Sequence, residues 1–191
     1  MGRNRNRTNP KDMNDIQLVN SCLQGDVDEF QKIVDKYKGK VMALAMNVLG
    51  NQQDAEDACQ DTFIHVYRRL DTFDVSRSFR SWMFAILFNL CRDQLRKRQR
   101  FIKLFKKAGA ESPPPQRSRA SDYPSSRCFS MSVLKDLTYK ERASLYLWAV
   151  EGYTSQESGR VLGCTAATAR VHLYKARRKI KAILEKENVS V

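Results

Sequence analysis

The sequence predicts an all-α protein made of two small helical domains joined by a flexible linker. Apolar residues recur at spacings of three and four along residues 14–100, and hardly any stretch alternates apolar and polar residues as strands do. A segment rich in proline, serine and arginine then interrupts this periodicity. The helical pattern returns near residue 132 and continues to about residue 187.

Charge and hydropathy limit the classes of protein to which the chain can belong. Its formal net charge is +13, and 42% of its residues are hydrophobic, enough for a modest core in each domain. Strongly basic proteins usually bind a polyanion, such as nucleic acid or an anionic membrane surface. The sequence has no run of about 18 apolar residues. We therefore expect no membrane insertion and a cytoplasmic protein that binds nucleic acid.

The sequence contains no recognisable set of catalytic or metal-binding residues. The five cysteines lie far apart without C-x-x-C spacing, and the two histidines, His65 and His172, are isolated from each other. A Walker loop, a paired-histidine metal motif and a Ser-His-Asp set are also missing from the sequence. We expect no metal, no cofactor, no catalytic residue and hence no enzyme.

The first predicted domain, residues 14–100, contains an acidic segment. Asp54, Glu56, Asp57 and Asp61 crowd the start of a predicted helix, where the helix dipole favours acids. Stability of the helix end is a sufficient explanation for this cluster. In a basic protein, an acidic helix also suits docking to a basic protein partner, which would separate a protein-binding face from a nucleic-acid face.

The helix predicted from residue 79 onward combines aromatic residues with a basic end. Trp82 and Asn89 lie off its apolar stripe, and residues 92–107 carry eight cations against the single acid Asp93. Aromatic rings beside cations suit single-stranded nucleic acid, because a base can stack on a ring while its backbone is held electrostatically. Core burial of the aromatic residues is the alternative, and spacing alone favours it.

Residues 101–131 are predicted to be a flexible, basic linker. Pro113, Pro114 and Pro115 lie among serine, arginine and alanine residues, a composition that favours an extended tether.

The second predicted domain, residues 132–187, has the order of a helix-turn-helix. A helix over about 139–151 ends at Gly152, a second helix begins after a capping box of Thr154 and Glu157, and Gly163 ends it before Thr165 caps a third. A third helix in this position can enter the major groove of DNA. On it, spacings of four and three predict a buried stripe of Ala169, Leu173, Ala176 and Ile180.

The opposite face of this third helix is strongly basic. A solvated basic surface is the simplest explanation for an arbitrary helix. Directly after a capped helix and a short turn, contact with DNA is the better one, because long cationic side chains reach phosphates and base edges. The cations of this helix are Arg170, Lys175, Arg177, Arg178, Lys179 and Lys181.

The order of three segments resembles bacterial sigma-70-type factors of the compact extracytoplasmic-function (ECF) group. These are "DAEDACQDTFIHVYRRLDTFD", "FRSWMFAILFNLCRDQLRKR" and, after the linker, "LTYKERASLYLWAVEGYTSQESGRVLGCTAATARVHLYKARRKI". The resemblance covers nearly the whole chain. It implies that residues 14–100 are sigma region 2 and residues 132–187 are sigma region 4, without catalysis of their own.

The resemblance also implies roles for individual residues. Asp57, Gln60 and Asp61 match the positions that dock on core RNA polymerase. A second group matches the positions that capture a flipped base and follow the backbone at the minus-10 promoter element, and a third matches the helix that reads the minus-35 element. The minus-10 group is Trp82, Asn89, Arg92 and Arg96; the minus-35 group is Arg170, Val171, His172, Tyr174, Lys175 and Arg178.

Partners and departures from the family pattern follow from the same comparison of motifs. The family implies core RNA polymerase, promoter DNA and an anti-sigma factor as partners.

Several residues of the second domain depart from the family pattern. Leu137-Thr138 replaces the usual Leu-Pro, Ser158-Gly159 replaces Ile-Ala, and Ala166, Ala167, Ala169 and His172 depart in the recognition helix. A glycine within a helix costs about 1 kcal/mol relative to alanine, which predicts a less stable region 4. These changes suggest atypical promoter reading or recruitment by an accessory DNA-bound factor. A stand-alone helix-turn-helix regulator remains the alternative.

Overall fold

The computed structural model describes residues 10–107 and 135–188, and every regular element within these ranges is helical. The prediction of an all-α fold is confirmed. Most of the predicted linker, residues 108–131, lies outside the described residues. The elements are α1 (Pro10–Leu23), α2 (Val27–Leu49), α3 (Gln52–Arg68), a 3-10 turn (Leu70–Thr72), α4 (Phe79–Lys107), α5 (Tyr139–Ala149), α6 (Ser155–Leu162) and α7 (Ala166–Asn188).

Helix α4 corrects the predicted start of the linker. The linker was expected to begin at residue 101, but the helix continues to Lys107. Residues 101–107 contain no glycine or proline, and the rings of Phe101 and Phe105, one turn apart, lie 4.5 Å from each other. The sequence change that ends helical periodicity therefore comes several residues later than predicted.

The predicted helix starts and stops of the second domain agree with the structure except at the end of α5. Thr154 and Glu157 form the predicted capping box, and Gly163 adopts the left-handed conformation at φ +63° that ends α6. Helix α5 ends at Ala149, two residues before the predicted end, and Gly152 follows with φ +70°. A second capping box, between Thr138 and Glu141, was not predicted.

The N-terminal helices enclose one core. Ile33, Leu44, Phe84 and Phe88 are among its fully buried side chains, and α1 is joined to α2 through a buried carboxylate. Asp15 accepts a hydrogen bond from the hydroxyl of Tyr37 and an ion pair from Lys36 at 2.6 Å. These contacts hold α1 against α2, and the shared apolar core holds α2, α3 and α4 together.

The second domain packs directly on the first, which the sequence did not predict. Tyr146, Leu147, Tyr153, Val161 and Leu162 of the second domain belong to the same buried apolar cluster as the residues of α2 and α4. A smaller cluster joins α5 to α7 through Leu137, Leu145 and Ala176, with Leu173 and Ile180 against it. Of the predicted stripe of α7, Ala169 and Ala176 are buried, and Leu173 and Ile180 are half-buried.

Gly159 has a steric role that reverses the effect predicted from helix propensity. A Cβ atom at this position would lie 2.7 Å from the carbonyl oxygen of Cys164, in the turn that leads from α6 into α7. The turn therefore requires a residue without a side chain here. We expect Gly159→Ala to destabilise the protein by about 1–3 kcal/mol through overpacking, although propensity alone would stabilise it.

Urea unfolding of the full chain tests this prediction against a matched substitution. Gly39 lies exposed in the interior of α2, so Gly39→Ala is expected to stabilise the protein by about 0.5–1 kcal/mol. If both substitutions instead raise the free energy of unfolding by similar amounts, the short distance between position 159 and the carbonyl oxygen of Cys164 does not limit the side chain at this position.

Candidate nucleic-acid interface

Helix α7 presents a basic face that is open to solvent. Its start is set by Thr165, whose hydroxyl accepts a hydrogen bond from the backbone N–H of Thr168 at 3.2 Å. With Ala169 and Ala176 buried against the domain, the helix turns its opposite side outward. The exposed predicted residues on this side are Arg170, Val171, Tyr174, Lys175 and Arg178. Side chains of this length and charge can reach both phosphates and base edges.

Three cations of the helix are engaged within the protein. Lys179 donates to the buried carboxylate of Glu141 at 2.8 Å, and the guanidinium of Arg177 lies 5.1 Å from the ring centre of Trp148. Lys181 lies 3.6 Å from Glu185 on the exposed surface. Lys179 and Arg177 thus contact α5, whereas the pair of Lys181 with Glu185 lies within α7 on its exposed surface, where such pairs contribute little.

His172 does not fit the role that the resemblance implied for it. Its ring is half-buried, and Nε2 is sealed from solvent without a hydrogen-bond partner among the described residues. Burial, assisted by Lys140 and Lys175, lowers the pKa of His172, so the imidazole is neutral near pH 7. A neutral ring on the inner side of the helix neutralises no phosphate, and we omit His172 from the proposed DNA contacts.

Helix α4 carries the second set of predicted nucleic-acid residues along one side. At 100° per residue, positions 82, 89, 92 and 96 fall within an arc of about 80°. Trp82 is half-buried and packs against Phe73 and Phe79, whose ring centres lie 5.2 and 5.8 Å from the centre of the Trp82 ring. Asn89 is exposed two turns further along. Trp82 therefore packs against the buried rings of Phe73 and Phe79 and remains only partly accessible at the edge of the core.

The basic end of α4 follows directly on the same side. Arg92 and Arg96 lie 3.5 and 3.8 Å from the exposed carboxylate of Asp93, distances that make weak surface pairs. Arg100 and Lys103 continue the positive charge along this side toward the end of the helix. This arrangement suits a strand whose bases reach Trp82 and Asn89 while its phosphates lie along the arginines.

The exposed residues of α3 include the predicted docking residues. Asp57, Gln60 and Asp61 are exposed and have no ion-pair partner among the described residues. Asp54, by contrast, lies 3.8 Å from Arg98 of α4 and joins the two helices. Only part of the acidic cluster therefore serves the fold, and the rest is available to a basic partner.

An apolar residue on this face was missed in the sequence. Ile64 follows Gln60 and Asp61 by one helical turn, and 39% of its surface is exposed. The sequence does contain a signal for this residue. Helical spacing places the isoleucine on the same side of α3 as the acids, whereas other apolar residues already fill the side of α3 that faces the core. An exposed apolar side chain flanked by carboxylates is typical of a protein-binding surface.

Other kinds of site find little support in the part of the chain that the structure describes. Residues 10–107 and 135–188 contain no group of three or more histidine, cysteine or acidic residues able to hold a metal ion. Within the same ranges, no helix is both long enough and apolar enough to span a lipid bilayer. Burial raises the pKa of Cys59 to about 11, which makes this thiol a poor nucleophile.

Comparison with known proteins identifies the family. The family model of Sigma-70 region 2 matches residues 33–101, and that of Sigma-70 region 4 matches residues 131–180. The RNA polymerase sigma factor NccH of Alcaligenes xylosoxydans xylosoxydans is 31% identical over 183 residues, which cover 92% of this chain and 97% of NccH. The chain belongs to the sigma-70 family.

Further relatives place this sigma factor in the ECF group. The ECF RNA polymerase sigma factor SigW of Bacillus subtilis is 28% identical over 175 residues, covering 85% of this chain and 92% of SigW. The solved structure of CnrH in complex with the cytosolic domain of CnrY matches with a TM-score of 0.64 and 26% identity, covering 90% of this chain and 97% of CnrH. Helices α2–α4 of the sigma factor lie in region 2, and helices α5–α7 lie in region 4.

Proposed function

We propose that this sigma factor binds core RNA polymerase and directs it to promoters, with region 2 opening the minus-10 element and region 4 reading the minus-35 element. The chain selects the site of initiation and leaves bond formation to the polymerase, so it has no catalytic residue of its own. It acts in the cytoplasm, where polymerase and promoters are found. The proposal extends the family membership to individual surfaces of this protein.

The observation that carries the proposal is the division of the exposed surface by charge. Asp57, Gln60, Asp61 and the apolar Ile64 form one face on α3, whereas α4 and α7 each carry a cluster of exposed cations. A protein that binds only DNA does not need an acidic and apolar surface, because such a surface repels phosphates. A factor that joins a protein partner to DNA needs both kinds of surface.

The proposed promoter contacts follow the geometry of the two basic helices. Trp82 and Asn89 would hold a base extruded at the minus-10 element, with Arg92 and Arg96 on the adjacent phosphates. Arg170, Val171, Tyr174, Lys175 and Arg178 would contact the minus-35 element in the major groove. The ion pair of Lys179 with buried Glu141 and the contact of Arg177 with Trp148 engage two of the cations of this helix within region 4. A limited set of contacts is consistent with recruitment assisted by an accessory DNA-bound factor.

An anti-sigma factor is a further proposed partner. The similar CnrH was solved with the cytosolic domain of CnrY, and the RpoE structure of Bartonella quintana includes the anti-sigma factor NepR. The exposed acidic and apolar residues of α3 offer one surface that such a partner would have to cover to keep this sigma factor from polymerase.

A stand-alone helix-turn-helix regulator is the alternative, because α5–α7 alone account for duplex binding. Co-purification with core polymerase and run-off transcription on a randomised promoter library separate the two functions. We expect stable polymerase binding and enrichment of two promoter elements. Polymerase binding without unaided transcription would point to the accessory factor, and absence of polymerase binding would favour the regulator.

A further inference from the structure

The last two turns of α4 carry large apolar side chains that are exposed to solvent. Phe101 and Leu104 have 51% and 65% of their surface exposed, and the ring of the half-buried Phe105 lies 4.5 Å from that of Phe101. Residues three and four apart are neighbours on a helix, so these side chains form one continuous surface. We call Phe101, Leu104 and Phe105 the α4 patch. Grouped apolar side chains of this size are typical of an interaction site.

The α4 patch continues the side of the helix that is buried earlier in the chain. At 3.6 residues per turn, 18 residues make about five turns, so Phe101 lies in line with Met83 and Phe105 with Leu87. Both Met83 and Leu87 are fully buried in the core of region 2. The core-facing side of α4 therefore remains apolar after the core has ended.

The helices that cover this side of α4 end before the α4 patch begins. Asp54 of α3 lies 3.8 Å from Arg98, and α3 starts only two residues earlier, at Gln52. Helix α2 ends at Leu49. Past Arg98, α4 continues to Lys107 over about 13 Å, and the described side chains of residues 99–107 form no ion pair or hydrogen bond with another described helix. A helix packed on the α4 patch would thus extend the packing that α2 and α3 begin.

The charges around the α4 patch are all positive. Residues 94–107 contain no acid. The cations one helical turn from Phe101 or Leu104 are exposed, and they are Lys97, Arg98, Arg100 and Lys107. A partner therefore needs acidic residues beside its apolar ones. A second copy of this chain is disfavoured, because two such patches would bring the same cations together.

Promoter DNA and a lipid surface share the preference for cations but fit the α4 patch poorly. Arg92 and Arg96 lie about 140–180° around the helix from Phe101, so a strand that follows these arginines lies on the other side of α4. Binding to an anionic bilayer scales with the apolar area that it buries, and three side chains offer little. Helices α2 and α3 also lie on the patch side of α4 and hinder the approach of a flat surface.

We propose that the α4 patch and its surrounding cations form a docking site for an acidic amphipathic helix of a partner protein. This mode of binding lays the apolar side of one helix against an apolar surface, with charges at the rim. The partner is opposite in charge to the basic one expected at the exposed acids of α3, so the two surfaces take different proteins. The site also lies away from Arg92 and Arg96, which allows the partner to stay bound while this side of α4 contacts DNA.

Selection from a displayed library of helical peptides tests the site on the full-length protein. Each peptide carries leucine at spacings of three and four, and each flanking position is encoded as either glutamate or lysine. We expect the wild type to enrich peptides with glutamate at the flanks, and Leu104→Gln to weaken their binding by about tenfold or more. Leu184→Gln is the matched control, because Leu184 of α7 is also exposed, and it should bind these peptides like wild type.

Charge reversal on two sides of α4 gives a second readout. Lys97 lies one turn before Phe101 on the patch side, whereas Lys103 lies about 160° around the helix from Phe101, and both are exposed. Lys97→Glu should weaken binding of the selected peptides by about threefold or more, and Lys103→Glu should change it much less. Circular dichroism establishes that the variants keep their helices, as expected for changes at exposed positions.

Several results would overturn the proposal. These are the absence of enriched peptides, enrichment without a preference for glutamate, and equal binding by wild type and Leu104→Gln. Sedimentation with vesicles of phosphatidylcholine and phosphatidylglycerol, and analytical ultracentrifugation of the protein alone, test the other occupants. Vesicle binding or self-association that depends on Leu104, without peptide binding, would assign the α4 patch to a bilayer or to a second copy instead.

Discussion

Replacing Asp57 and Asp61 by lysine is expected to weaken binding to core RNA polymerase by about 100-fold or more. Both carboxylates are exposed on one face of α3 and have no ion-pair partner among the described residues, so they are free to meet cations of a partner. Loss of a charged group from a desolvated contact costs about 2–5 kcal/mol, and reversal adds repulsion. Surface plasmon resonance with immobilised core polymerase measures the effect.

The control for this prediction is Asp35→Lys, which makes the same change at an exposed position of α2. It should bind polymerase like wild type. Binding of both variants to a minus-35 duplex should also be unchanged, because α7 lies in the other region. Normal polymerase binding by Asp57→Lys/Asp61→Lys would remove the docking role of α3 and favour a stand-alone regulator.

Loss of the Trp82 ring is expected to abolish most promoter opening while polymerase binding survives. A base stacked on an aromatic side chain contributes about 1–3 kcal/mol, so a fall of about 5- to 150-fold in the open population is expected. Because Trp82 also packs against Phe73 and Phe79, we choose Trp82→Leu as the test variant. Leucine keeps apolar contact with those two rings but offers no aromatic face for a base to stack on. Fluorescence of 2-aminopurine in the minus-10 element reports the opening.

Trp148 supplies a matched tryptophan in region 4. It is 45% exposed on α5, and the guanidinium of Arg177 in α7 lies over its ring. Trp148→Leu should therefore leave opening of the minus-10 element close to wild type. Opening by Trp82→Leu at the wild-type level would show that the ring serves only to support Phe73 and Phe79.

Local features of this protein could be predicted from the sequence because they depend on residues a few positions apart. The capping box of Thr154 and Glu157, the stop at Gly163 and the buried stripe of α7 each involve spacings of three or four residues. The exposed acids of α3 and the basic side of α4 follow from the same helical period. Such features are fixed by backbone geometry that every helix shares.

Interactions between distant residues were decided only by the tertiary structure. Lys179 looked like part of a DNA-binding face, yet it pairs with Glu141 from a different helix, and the ring of His172 is half-buried with Nε2 shielded from solvent. Gly159 looked like a weak point in a helix until the turn at Cys164 was placed against it. In each case the partner comes from another element, and helical periodicity carries no information about which elements meet.

The sequence by itself determined the helices, their ends and which side of each helix is apolar. The tertiary structure decided that region 4 rests on region 2 and that Arg80 meets Glu151, 71 positions along the chain. Both regions have apolar faces that would be compatible with separate or docked domains. The choice depends on how well two surfaces fit each other, and shape complementarity arises only after the helices have assembled.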